Sequence, residues 1–293
     1  PKEKLQNIAK MKRFHGEKTI MEVTRLTKKR IAEYLLQGKR FDGRTAQEFR
    51  DITITLGASN MAEGSATVKL GKTEVIAGVK MNVGTPYPNE EESGTMSVGM
   101  ELLPLSSNRY EAGPPKFDAT EIGRLIDRGL RDSGMIDFKK LCIKVGEKVW
   151  MINIDIYSIN DDGNLLDAAG IAAIAALRSA KMPKYDETTG RVQFGEWTDN
   201  ALPLDLSVMP INVTFHKIGD KFLVDPSAIE EDSSDSRMAI GLSEYQGKVM
   251  INSIQKSESA EMSINEVEQV LDMAEEAFKN LKIKVEKALK EKK

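Results

Sequence analysis

Residues 150–181 read WMINIDIYSINDDGNLLDAAGIAAIAALRSAK, and the single change of period inside this stretch decides the fold. Trp150, Ile152, Ile154 and Ile156 alternate with Met151, Asn153, Asp155 and Tyr157, which is a strand with one dry face. Asn160-Asp161-Asp162-Gly163 breaks the alternation with turn chemistry. From Leu165 onward, and above all from Ala168 to Leu177, the chain is apolar all round, so the helix predicted there must be buried on every side. Its many small residues suit a helix that crosses close under a sheet, and Pro183 is expected to stop it. The run is too short and too rich in Ala and Gly to span a membrane. Free backbone N–H groups at a strand–turn–helix junction make this turn a natural place for an anion.

Working outward, the composition is that of an ordinary globular protein: 40% hydrophobic, 30% charged, net charge −3. That small net charge conceals thirteen Lys/Arg against five acids within residues 1–44. A basic front on an acidic protein points to a polyanionic partner or an acidic neighbouring subunit, with a solvated helix face as the competing explanation. The single cysteine, Cys142, excludes a disulfide framework and reads as a structural thiol inside an apolar strand. The two histidines, His15 and His216, lack metal-ligand spacing. With no signal peptide or membrane run, the expected compartment is the cytoplasm.

Residues 20–37 read as a helix with Leu26, Ile31, Leu35 and Leu36 on its sticky side. Strands are expected from Ile52, across a hairpin at Gly71-Lys72, over 98–105, and at 141–145 and 149–157. Gly71-Lys72-Thr73 is no phosphate-binding P-loop, because Ala66 stands where that motif needs Gly and a strand follows instead of a helix. A helix opens near Phe117, with Asp118 and Glu121 spaced as a capping box and Arg124, Arg128 and Arg131 on one outer face. Residues 184–203 form a polar hairpin. Four further strands (206–215, 221–224, 238–242, 249–254) precede a long amphipathic helix launched by Ser263 and Glu266. Strands then helices occur twice, so the expected fold is α+β with two lobes, each a sheet backed by helices. The expected division is a basic extension over 1–27, a first lobe over 28–199 and a second over 200–293.

In this order, Phe41-Asp42-Gly43-Arg44, Glu48, Arg50-Asp51-Ile52, Gly64-Ser65-Ala66, Gly71-Lys72-Thr73, the arginine-bearing helix and the strand–turn–helix resemble the ribonuclease PH family. The resemblance covers the chain from about Lys28 and implies a two-lobed ribonuclease PH-like fold with mixed sheets. Met100-Glu101-Leu102-Leu103-Pro104-Leu105, Gly113-Pro114-Pro115 and residues 127–133 look like one branch of it, the non-catalytic ring subunit of the archaeal exosome. That branch implies a hexameric ring of three heterodimers with a catalytic ribonuclease PH-like subunit, RNA-binding cap subunits, and single-stranded RNA degraded from its 3′ end by phosphate. No membrane partner is implied.

Catalytic members carry Gly, then Ser or Thr, then Arg at the turn that opens the buried helix. Here the turn reads Gly163-Asn164-Leu165, and leucine can neither pair with phosphate nor donate a hydrogen bond. They also carry two aspartates six apart, the second directly before a Met. Aligned on Met238, those positions hold Glu231 and Arg237, and an arginine inverts the charge a metal needs. Asp225 and Glu231 keep the spacing but not the register. The cluster Glu230, Glu231, Asp232, Asp235 is then expected to be a solvated loop or a subunit contact. No catalytic residue, metal site or cofactor is therefore expected. The resemblance implies that Arg124 and Arg128, one turn apart, touch successive RNA phosphates, with Arg131 and Arg109 as further candidates. Ordinary pairing with Glu121, Asp127 or Asp132 is the competing explanation. Two other functions stay open: a phosphorolytic 3′–5′ exoribonuclease active in its own right, and a free-standing RNA-binding module.

Overall fold

In the computed structural model, which describes residues 23–258 and 260–291, the alternating stretch is strand β6 (Lys148–Asn160) and the apolar run is helix α3 (Leu165–Ser179). Trp150, Ile152, Ile154 and Ile156 are buried, and so is every residue from Leu165 to Leu177. The helix ends where Ala180 turns extended, short of Pro183, which lies inside the next strand. β6 is the central strand of a mixed sheet. It runs antiparallel to β3 (Thr73–Gly84) and parallel to β4 (Thr95–Glu101). Beyond β3 come β2 (Gly64–Leu70) and β1 (Ile52–Leu56), and the short β5 (Cys142–Lys144) also pairs with β6.

The second sheet is antiparallel, in the order β10 (Lys221–Val224), β9 (Ile211–Ile218), β11 (Ser236–Tyr245), β12 (Lys248–Ser257). Helix α3 lies between the sheets, against β2 and β3 on one side and β9 on the other, which is why it has no polar face. Helix α2 (Phe117–Asp132) packs on β4 and reaches β11 and β12, and the long α5 (Ile264–Lys290) packs on β1 and β9. A separate hairpin, β7 (Lys181–Asp186) and β8 (Arg191–Ala201), is the expected polar excursion. The result is the expected two-lobed α+β fold with mixed sheets backed by helices.

Several boundaries differ from expectation, each for a physical reason. Helix α1 (Arg25–Leu36) is capped by the Thr24 hydroxyl, so it starts after residue 20; residues 1–22, with six of the thirteen basic residues of the front, lie outside the described residues. Ile31 and Leu35 are buried against Ile218 and Leu223 of the second sheet, whereas Leu26 and Leu36 face solvent. β4 stops at Glu101, before Pro104, which has no N–H for a ladder. β9 likewise starts only after Pro210. Asp118 does not cap α2: the cap position is Lys116, without a side-chain hydrogen bond, and Glu121 is engaged elsewhere. The Ser263–Glu266 capping box forms as expected. Cys142 begins a three-residue strand and is only half-buried, not enclosed in an apolar strand.

The tightest crossing is between β2 and the end of α3. A Cβ on Gly64 would lie 2.3 Å from the Ala176 carbonyl oxygen and 2.6 Å from the Ala180 Cα. Because both obstacles belong to the helix's end, Gly64→Ala is expected to push strand and helix apart and lose about 1–3 kcal/mol of stability. Urea unfolding checks this, and an unchanged midpoint would refute the close approach.

Candidate functional site

The turn between β6 and α3 is held from below by residues far away in sequence. Gly163 has φ +86°, and a Cβ there would meet the Pro226 carbonyl at 2.6 Å, so the position requires glycine twice over. Asn164 follows in the left-handed region and is 2% exposed. Arg50 donates to the carbonyls of Asp162 and Gly163, both at 3.0 Å, and the Thr73 hydroxyl donates to the Gly163 carbonyl at 2.7 Å. Arg50 also grips the Asp225 carboxylate, from Nη2 at 2.7 Å and from its own backbone N–H at 2.7 Å. Arg44 reaches the same carboxylate at 2.8 Å, and the Asn164 amide donates to it at 3.0 Å.

This wiring corrects the expectation of a solvated loop for the acidic cluster: three of its acids stand on a helix, Asp235 follows in the bend before β11, and all four are held by partners within the chain. Residues Ala228–Asp232 form a short helix, α4, with a Ser227–Glu230 capping box. Glu230 is 3% exposed and paired at 2.5 Å with the wholly buried Arg40 side chain. The Glu231 carboxylate accepts the backbone N–H of Asn164 at 2.9 Å, the donor that a free anion at this helix start would use. Asp232 pairs with Arg109 at 2.5 Å, and Asp235 with Lys28 at 2.7 Å. Leu165, where the family's catalytic members carry arginine, is buried in the core. Each of the four acids has a partner 67 to 207 residues away, beyond any local motif.

Electrostatics follow the pairing. Burial opposes the charge on Asp225, but the hydrogen bonds and charge of Arg50 outweigh it and hold this carboxyl below the usual range. Burial pushes Asp232 up to about 6 against the pull of Arg109. Asp161 is raised by burial and by the Glu231 charge, while the Tyr110 hydroxyl donates to it at 2.6 Å. Asp167, one turn into α3, is pushed up to about 7 by burial, although Thr214 and Asn164 donate to it. Among the described residues, no group of three or more His, Cys, Asp or Glu is arranged to hold a metal ion. Arg237 pairs with Glu121 of α2 at 2.5 Å.

The four candidate RNA-contacting arginines fall into two sets. Arg124 and Arg128 are exposed on α2; Arg124 makes no hydrogen bond or ion pair among the described residues, and Arg128 lies 3.7 Å from Asp132 with 71% of its side chain exposed. Arg131 is tied down, by two bonds to the Asp127 carboxylate and one to the Met96 carbonyl at 2.8 Å. Arg109 is not a free loop arginine, since Asp232 holds it beside the turn. Sequence reading noted Arg50 and Asp225 without seeing that they meet; their 175-residue separation leaves no local signal.

Two outcomes test this geometry. Asp225→Asn, which strands two arginines, is expected to cost about 3–5 kcal/mol in urea unfolding; a loss well below that would show the pairs to be dispensable. Asp167 binds its proton more tightly folded than unfolded, so its contribution to stability is complete below about 3.8 and lost as pH rises through about 7. The stability advantage of the native chain over Asp167→Asn should therefore shrink between pH 5 and pH 7.5. An advantage that grows over that range would refute a raised pKa.

Comparison with known proteins gives the family. Residues 48–183 match domain 1, and residues 208–277 domain 2, of the 3′ exoribonuclease (RNase PH) family. Exosome complex component Rrp42 of Thermococcus onnurineus is 46% identical over 246 residues, covering 83% of this chain and 88% of the relative. The Rrp42 of Methanosarcina acetivorans is 39% identical over 260 residues, covering 89% and 93%. Among solved structures, a chain of the Archaeoglobus fulgidus exosome with RNA bound to the active site superposes with a TM-score of 0.75 at 38% identity, covering 85% of this chain and 93% of that one. A chain of an archaeal exosome core superposes with a TM-score of 0.76 at 34% identity, covering 89% and 96%. With both halves of the family's domain pair present in order, this chain belongs to the 3′ exoribonuclease, or RNase PH, family.

Proposed function

We propose that this chain is the non-catalytic, RNA-positioning subunit of a cytoplasmic archaeal exosome ring. It alternates with a catalytic ribonuclease PH-like homologue in three heterodimers, under RNA-binding caps. The observation that carries this reading is the Glu231 carboxylate 2.9 Å from the Asn164 N–H. Phosphorolysis needs a phosphate held by donors and positive charge at this turn. Here a phosphate would meet a resident carboxylate of its own sign, and Leu165 in place of a guanidinium. Arg44, Arg50 and Arg109 already neutralise the chain's own aspartates. The relatives named Rrp42 and the exosome structure with bound RNA support the assembly.

The role left to the chain is to hold substrate. Arg124 and Arg128 stand one turn apart on an exposed face, a spacing suited to successive backbone phosphates and blind to sequence. Arg131 and Arg109 are weaker contributors because carboxylates of the chain already hold them.

Phosphate-dependent shortening of a 5′-labelled RNA is expected only when the chain is mixed with its catalytic homologue. Arg124→Ala with Arg128→Ala should weaken RNA binding by the ring and flatten its dependence on log salt by about 1.4, which is about 0.7 per phosphate contact on a single strand. Shortening by the chain alone would overturn the non-catalytic reading; an unchanged salt slope would remove the two arginines from it.

A further inference from the structure

Glu121, Arg124 and Arg128 lie at spacings of three and four on α2, so they share one stripe of the helix. An acid one turn before Arg124 would ordinarily pair with it and compete with any phosphate. It does not do so here. Both oxygens of Glu121 are taken by the second lobe: Arg237 of β11 donates to Oε2 at 2.5 Å, and the Ser257 hydroxyl of β12 donates to Oε1 at 2.5 Å. The Glu121 and Arg237 side chains are only 12% and 13% exposed, so the pair is shielded from salt. The seat of α2 is fixed elsewhere. Gly123 lets the helix approach the Val98 carbonyl, where a Cβ would be 2.9 Å away, and Arg131 holds the far end to the Met96 carbonyl.

We infer that Arg237 is a positioning residue for RNA: by occupying Glu121 it keeps the charge of Arg124 unpaired and available to a backbone phosphate. The inference rests on the reading that Arg124 and Arg128 contact RNA. It also assigns work to a residue whose only earlier significance was that it is not a carboxylate. Without Arg237, only the neutral Ser257 hydroxyl still holds Glu121, and the carboxylate can swing onto the cationic Arg124 through an i,i+3 contact and neutralise it.

The test uses the ring assembled with the catalytic homologue and measures affinity for a labelled single-stranded RNA across a salt series. Arg237→Gln is expected to weaken binding by about three- to tenfold, the range of a direct side-chain coupling. It should also flatten the log-salt slope by about 0.7, one phosphate contact. The double variant Arg237→Gln/Glu121→Gln removes the competing acid and is expected to return binding to within about twofold of the native ring. A purely structural ion pair predicts no such recovery. Native-like affinity and slope for Arg237→Gln would overturn the proposal, and so would a double variant as weak as the single. If Arg237→Gln does not assemble, the double variant, which buries no lone charge, decides by the same twofold criterion. The parallel Arg124→Ala/Arg128→Ala ring separates the two levels. No loss of affinity there removes the underlying RNA reading, whereas loss there with none in Arg237→Gln removes only the role of Arg237.

Discussion

The structure depends on one buried carboxylate. Asp225 has no exposed surface, sits with a positive φ of 48°, and is satisfied by Arg44, Arg50 and Asn164 together. An ion in the interior costs several kcal/mol unless it is fully paired, and a non-glycine residue in the left-handed region adds roughly 1 kcal/mol more. Both costs are accepted because this group joins three parts of the chain. Arg44 and Arg50 come from the segment before β1, Asn164 from the start of α3, and Asp225 from the loop after β10. Without it two arginines would be stranded between the turn and the second lobe, leaving the Glu231 carboxylate on the Asn164 N–H as a remaining tie.

The same anchoring fills the turn. Once Asp225 is fixed, Ser227 caps α4, and Arg40 draws Glu230 into the interior. The next residue, Glu231, is thereby delivered to the Asn164 N–H. The position where the family resemblance implies a phosphate is occupied here from within by a carboxylate on a short helix. Loss of catalysis is thus more than the exchange of an arginine for Leu165: charge, donor and space are all reassigned to stability.

Local information was enough to read β6 and α3, because burial repeats every two residues in one and in all directions in the other. The Ser263–Glu266 cap was equally legible, since both partners lie within one turn. The similar spacing at Asp118 and Glu121 misled, because Arg237, 116 residues further on, competes for Glu121 and wins. The acidic run over 230–235 misled for the same reason. Acids beside one another in sequence look solvated, yet Arg40, Arg109 and Lys28 neutralise three of them from distant segments and the Asn164 N–H takes the fourth. Of the four arginines proposed to touch RNA, nothing local separates Arg124 and Arg128 from Arg131 and Arg109. Only the placement of Asp127 and Asp232 does so.

By itself, the sequence determined the two-lobed α+β plan, the buried helix, the family, and the missing guanidinium at residue 165. These follow from periodicity and from residue identity at single positions. Only the tertiary structure decided that the anion position is filled by Glu231, that Asp225 closes the seam between the lobes, and which arginines remain free. The first two, and the capture of Arg109, depend on groups 60 or more residues apart in sequence meeting in a low-dielectric interior, where pairing is strong and an unpaired charge is not tolerated, and no local pattern encodes such a meeting.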